Sequence, residues 1–210
     1  MIRTVIADDH HLIRDGFKKL ISGEPDITLS GEAANAQELE NVLNSASFDI
    51  LVLDLSLPDR DGMEILKDIR HNNPSIKVLV LSMHPENRYA MRALKNGAAG
   101  YLTKGSASEE LIDAIRRIYR YGKYITPAIA DELAAGLDDS GPGKPHEKLS
   151  DREYQVLLLL GQGKKLGEIA DSLKVSINTV NSYRRRLLDK LQVNSSSDCI
   201  RYVLEHKLLD

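Results

Sequence analysis

Tryptophan is absent from this chain, phenylalanine occurs twice and cysteine once in 210 residues. The single thiol, Cys199, can form no internal disulfide, and without His or Cys neighbours at ligand spacing it marks no zinc site. It reads as a helix-packing residue. Long apolar runs are missing too: none approaches the roughly 20 residues of a membrane span. The opening run before Asp8 is far too short for a signal peptide. The expectation is a soluble protein of the cytoplasm with no membrane partner.

The chain has a 42% hydrophobic and 28% charged content, enough for two small domains, each with its own core. The net charge of −3 hides an asymmetry. Residues 1–139 hold 16 Lys and Arg against 22 Asp and Glu, a net of −6, and residues 140–210 hold 12 against 9, a net of +3. Such a split suits a regulatory domain joined to a nucleic-acid reader, although +3 alone is weak support.

Apolar runs near 2–8, 27–33, 49–54, 76–82 and 99–103 alternate with amphipathic stretches near 11–23, 35–45, 62–72, 86–96 and 107–121. Five strand-then-helix repeats predict a doubly wound α/β domain with a five-stranded parallel sheet. Pro127 opens a further short helix near 127–136, and the Gly, Pro and polar residues of 138–147 read as a flexible linker. Strand signals then cease. Ser150 and Glu153 form a capping box before the apolar segment 154–160. Further helical patterns near 165–173, from Ser176 to about Leu191, and near 196–206 complete an all-α four-helix unit containing a helix-turn-helix.

Asp8 with Asp9, Asp54, Ser82 and Lys104 each stand at the end of an apolar run. In an open parallel sheet ligands bind outside the carboxyl ends of the strands, so these groups converge on one edge. Two carboxylates about 4 Å apart repel by roughly 4 kcal/mol at an effective dielectric of about 20. A divalent cation relieves that repulsion, and oxygen ligands favour magnesium or manganese. With the metal present, Asp54 is a nucleophile toward a phosphoryl group whose oxygens Lys104 neutralises and Ser82 hydrogen-bonds. Singly, each residue has an ordinary explanation, such as a helix cap, a turn or a solvated lysine. Their recurrence at the ends of separate strands is the argument.

Together with Pro58, Gly62 and Tyr101, these residues resemble the CheY-like receiver of two-component response regulators over residues 1–121. The resemblance implies that Asp54 accepts phosphate from a sensor histidine kinase. It also implies magnesium bound by Asp9, Asp54 and the Ser56 carbonyl with help from Asp8, phosphoryl oxygens held by Ser82 and Lys104, and Tyr101 moving inward with the phosphorylated state. Ser56 and His84, two residues beyond the acceptor and the switch serine, fall where receivers tune acyl-phosphate lifetime; for His84 an exposed loop histidine without a role is the competing reading.

Along the helix expected over 178–191, Val180, Tyr183, Leu187 and Leu191 share one stripe, while Asn178, Asn181, Ser182 and Arg185 lie opposite with Arg186 beside them. Amides, a hydroxyl and guanidiniums on a core-packed helix suit the DNA major groove, where Asn pairs with adenine and Arg with guanine. Residues 149–153, 168–173 and 179–191 resemble the LuxR/FixJ-type DNA-binding domain, which spans about 148–208 here. That resemblance implies base contacts from Asn181, Ser182 and Arg185 and phosphate contacts from Lys190 and Lys165. Tyr183 stands where His is frequent and resembles the GacA/UvrY-like and BvgA-like branches. Residues 164–167 depart from the usual pattern, which leaves the Lys165 contact open.

The chain is therefore identified as resembling the NarL/FixJ family of transcriptional response regulators: receiver 1–121, short helix and linker 122–147, DNA-binding domain 148–210. The resemblance implies promoter DNA, RNA polymerase and a second copy of the chain as partners, and no catalytic turnover beyond its own phosphorylation and dephosphorylation. A phosphatase of the haloacid dehalogenase kind needs a second acid two residues after the nucleophile, where Ser56 stands. A receiver joined to a protein-binding module resembling a sigma-factor domain is the other alternative.

Overall fold

In the computed structural model the described residues are 1–83, 86–106, 108–138, 144–173 and 175–209. They divide into two compact units, Met1–Ser140 and Gly141–Asp210. His84 and the linker residues 139–143 lie outside the described residues.

The first unit alternates strands β1 Ile2–Ala7, β2 Ile27–Ala33, β3 Ile50–Leu53, β4 Lys77–Ser82 and β5 Gly100–Thr103 with helices α1 His11–Ile21, α2 Ala36–Ser45, α3 Gly62–Asn72, α4 Glu86–Lys95 and α5 Ser108–Tyr121. The sheet is wholly parallel with the order β2-β1-β3-β4-β5. Continuous apolar runs form its inner strands because helices cover both faces: β3 is buried at all four positions, and Val78 to Ser82 of β4 are buried. Ile6, Ile50, Val52 and Leu79 of the sheet form one core cluster with Phe17 and Ile21 of α1 and Ile112 and Ile115 of α5.

The chain leaves β1 in one direction to make β2 and returns on the other side to make β3, so the order reverses between β1 and β3. Ligand sites of open α/β sheets form at such a reversal. Local features hold the loops there. The Asp59 carboxylate accepts from the backbone N–H of Ala36 and Gln37 at 2.8 and 3.1 Å, tying the segment after β3 to the start of α2. Asp61 caps α3 through Met63 N–H. Gly62 is required because a Cβ there would fall 2.4 Å from Leu55 Cα, so α3 presses directly on the backbone just beyond Asp54.

A sixth helix, α6 Pro127–Asp138, falls in the segment expected as a short helix and linker, and it packs on α4 within the first unit. Thr126 anchors it: its hydroxyl donates to Glu86 and accepts from Ile129 N–H.

The second unit begins with a 3-10 turn, Pro145–Lys148, which the sequence reading left within the linker and its edge. Helices α7 Asp151–Gly161, α8 Leu166–Leu173, α9 Ile177–Leu191 and α10 Ser196–Glu205 follow. α7 packs on α9 and α10, and α8 on α9. The Ser150/Glu153 capping box is present in full. Gly161 brings α7 against α10, since a Cβ would sit 2.6 Å from Val203 Cγ1, and Cys199 is buried in α10.

Candidate functional site

β1 and β3 run in register, Ala7 beside Leu53, so Asp8 and Asp54 leave the sheet side by side. Backbone bonds fix both: Asp8 N–H donates to Ala33 O at 3.0 Å and Asp54 N–H to Ala7 O at 2.8 Å. Lys104 follows β5, with its N–H on Ser82 O at 2.8 Å. Its Nζ stands 2.7 Å from Asp54 Oδ2 and 2.7 Å from Asp8 Oδ2, and all three side chains are nearly sealed from solvent. Burial pushes the Asp54 carboxyl above the usual carboxylate range, against the pull of Lys104 and with a further push from Asp8. The same burial works against the Lys104 ammonium, but Asp54 and Asp8 outweigh it and hold its pKa above the ordinary lysine value.

The remaining oxygens differ in how they are engaged. Asp54 Oδ1 accepts from Ser56 N–H at 3.1 Å, and Asp8 Oδ1 accepts from His10 N–H at 2.9 Å. Asp9 Oδ1 is shielded from solvent and accepts no hydrogen bond. His10 Nδ1 lies 2.7 Å from it, within ion-pair distance when the ring is protonated. Asp8, Asp9, His10 and Asp54 offer ligand atoms all within 4.8 Å of one another. The three carboxylates of this cluster, Asp8, Asp9 and Asp54, are hard oxygen donors that fit a magnesium ion.

Ser82 is fully buried at the end of β4, and Tyr101 is fully buried in β5. The tyrosine expected to move inward is therefore already inside in this structure. Two neighbours escaped the sequence reading. His10 reaches both aspartates of the β1 end, and Arg14 Nη1 donates to Asp8 O at 2.7 Å. The only signal for His10 was its place directly after two acids, and Arg14 is brought in by one turn of α1.

In the second unit α9 buries Val180, Leu187 and Leu191, leaves Tyr183 half-buried, and exposes Asn178, Asn181, Ser182, Arg185 and Arg186. Its start is fixed by Ser176, whose Oγ accepts from Thr179 N–H at 3.1 Å. Ser182 Oγ donates back to Asn178 O at 3.0 Å, which uses the hydroxyl proton within the helix. Arg184 leaves the exposed face and donates to Ser196 Oγ at 2.7 Å, holding α9 to α10. Lys190 Nζ donates to the buried Glu153 at 2.6 Å. Lys165 is exposed, and its N–H donates to Glu168 at 2.7 Å at the start of α8. The structure thus brings Asp8, Asp9, Asp54 and Lys104 together at one sheet edge, and Asn181, Ser182 and Arg185 together on one exposed helix face.

The response regulator receiver domain model matches residues 4–116, and the model of bacterial regulatory proteins of the luxR family matches residues 147–203. The chain belongs to the NarL/FixJ family of response regulators. Response regulator UvrY of Escherichia coli K12 is 32% identical, the alignment covering 99% of this chain and 96% of that protein. Oxygen regulatory protein NreC of Staphylococcus carnosus is 33% identical over 100% of both chains. Among solved structures, RcsB of Salmonella enterica serovar Typhimurium bound to promoter rprA in the presence of the phosphomimetic BeF3− superposes with a TM-score of 0.63 at 26% identity, covering 97% of this chain and 98% of that one. As a member of this family the chain joins a receiver to a LuxR-type helix-turn-helix domain, and among the described residues no helix is long and apolar enough to cross a membrane.

Proposed function

We propose that this response regulator is a cytoplasmic, phosphorylation-controlled transcription factor that takes a phosphoryl group from a sensor histidine kinase on Asp54 and binds promoter DNA as a homodimer. The observation that carries this reading is the Lys104 ammonium set between Asp54 and Asp8 in a buried acidic pocket. Desolvation makes each charge there count for more than it would in water.

The Asp54 carboxylate attacks phosphorus as the P–N bond of a phosphohistidine breaks, and the imidazole nitrogen leaves with the bonding pair. Lys104 is within reach of the new phosphoryl oxygens because it already holds Asp54 Oδ2. Ser82 supplies a hydroxyl donor from the neighbouring strand. Asp8, Asp9 and Asp54, with the Ser56 carbonyl, are the residues that would hold magnesium, which when bound neutralises charge on the transferring group. Acyl-phosphate formation then favours the receiver state whose Ser82 and Tyr101 arrangement best fits the added charge.

The output is α9, with Asn181 and Arg185 facing base edges and Ser182 beside them. One helix of this length reads few bases, so two copies on half-sites about one helical turn apart supply the rest. Contact with RNA polymerase follows from promoter binding. Radiolabelled acetyl phosphate with magnesium tests the central step: wild type takes up label and Asp54→Ala does not. Equal labelling of the variant moves the acceptor elsewhere and overturns the reading.

A further inference from the structure

At the end of the sheet away from Asp54, three cations rim a concave pocket of about 220 Å³. Arg70 comes from the last turn of α3, Lys77 opens β4, and Lys123 follows α5. Among the described residues none of the three is in ion-pair contact with a carboxylate. Buried Val78 and Ala99 also line the pocket, so the charges stand over apolar surface that screens them less than water does.

Two of the cations are positioned rather than free to swing away. The Arg70 stem lies across Gly97, which has φ +107°, and a Cβ there would fall 2.4 Å from Arg70 Cδ. Lys123 donates to the carbonyl of Ala98. Its ammonium is pushed below the ordinary lysine value by partial burial and by the like charges of Arg70 and Lys77. Lys123 is also held from its other side, because Tyr124 N–H donates to Ala99 O at 2.8 Å beside the start of β5. A fold that brings three like charges around one cavity, two of them held in place, lowers its energy when an anion enters.

The volume limits what that anion is. Sites for drug-sized organic molecules run to roughly 300–1,000 Å³, and this one is smaller. A compact group with several negative charges and oxygens facing in different directions matches three separated donors. We propose that the pocket binds a diphosphate group, either as free pyrophosphate or as the diphosphate of a nucleotide whose base lies outside the cavity. Bound there, the group would bridge α3, β4 and the segment leading out of α5 toward α6, fastening the exit of the receiver to its sheet. This site does not depend on Asp54 being the phosphoryl acceptor.

Calorimetric titration of the full-length protein, with magnesium chelated, tests the site using sodium pyrophosphate in one arm and ADP in the other. Amide shifts of Gly97 and Gly122, which line the loops at the pocket, report where the anion sits. Saturable pyrophosphate binding that weakens with salt is expected. Lys77→Ala, an exposed position at a strand start, and Lys123→Ala should each weaken it about tenfold, the loss that goes with one charge-assisted hydrogen bond. Gly97→Ala should weaken it as well by displacing Arg70. ADP binding as tightly as pyrophosphate identifies a nucleotide as the source, and pyrophosphate binding alone identifies the free ion; both support the site. No saturation at millimolar pyrophosphate overturns the proposal. So does binding that Lys77→Ala and Lys123→Ala leave unchanged, or shifts that appear on α9 in place of Gly97 and Gly122.

Discussion

Lys190 Nζ donates at 2.6 Å to Glu153 Oε2, the oxygen that also accepts the Ser150 N–H at 2.8 Å and so closes the capping box of α7. A side chain expected on DNA phosphate is in this structure a brace between α7 and α9. Lys190→Met leaves a buried carboxylate with one fewer donor and should destabilise the second unit by about 1 kcal/mol, Lys190 being partly exposed. Denaturant unfolding of Lys190→Met, Glu153→Gln and the double variant measures the coupling. Unchanged stability in Lys190→Met, with only a shallower salt dependence of DNA binding, would return the residue to a purely phosphate-contacting role.

Asp9 Oδ1 is a buried carboxylate oxygen that accepts no hydrogen bond among the described residues, with the His10 ring its near neighbour, so it gains from a cation. Magnesium should stabilise the folded receiver, by about 2.7 kcal/mol when the free ion is about a hundredfold above its Kd. Asp9→Asn should lose most of that gain while folding normally without metal. Scanning calorimetry with and without magnesium reads both. An equal rise in wild type and Asp9→Asn would place the ion away from Asp9.

Much of this was legible before the structure. Strand ends came within a residue or two because buried parallel strands are short continuous apolar runs, and after β1, β3 and β5 the polar residue that stops the run, Asp8, Asp54 or Lys104, is also the one that reaches the site. Ser150 and Ser176 mark helix starts by local chemistry alone. What escaped depends on distance along the chain. Lys190 finds Glu153 across 37 residues, and the cations at 70, 77 and 123 meet only once the sheet is built. The burial of Tyr101 is likewise a matter of packing, since a tyrosine at a strand position fits either rotamer. α6 reads from its sequence as a helix after Pro127, but its docking on α4 rests on Thr126 meeting Glu86, which no local pattern announces.

Arg3 and Asp49 hold the start of β1 to the approach of β3: the Arg3 N–H and Nη2 donate to Asp49 at 2.8 and 2.9 Å. The Arg3 hydrogen bond keeps the Asp49 carboxyl below its ordinary 3.8. A carboxyl whose folded value is depressed stabilises the fold above its unfolded value, and that contribution disappears as pH falls through the folded value. Asp49→Asn should therefore be less stable than wild type above about pH 5, with the difference closing as the solution becomes more acidic. Urea midpoints across that range give the curve. A gap that persists unchanged at low pH would mean the loss is steric rather than ionic.

Among the described residues Asn181 and Arg185 stand exposed on α9 without a hydrogen-bond or ion-pair partner, whereas Ser182 spends its hydroxyl proton on Asn178 O. The three residues of the expected reading face should consequently behave differently. Asn181→Ala and Arg185→Ala should each cost about 1–3 kcal/mol of discrimination at one base position, the value of a bidentate base contact. Ser182→Ala should weaken binding little, because the hydroxyl keeps only its acceptor side for DNA. Arg184→Ala is the control for architecture: it removes the bond to Ser196 that orients α9 against α10 and should lower affinity for all sequences alike. Gel shifts against selected operator variants separate these outcomes. Unchanged affinity and specificity in both Asn181→Ala and Arg185→Ala would remove α9 as the base reader and favour a protein-binding role for the second unit.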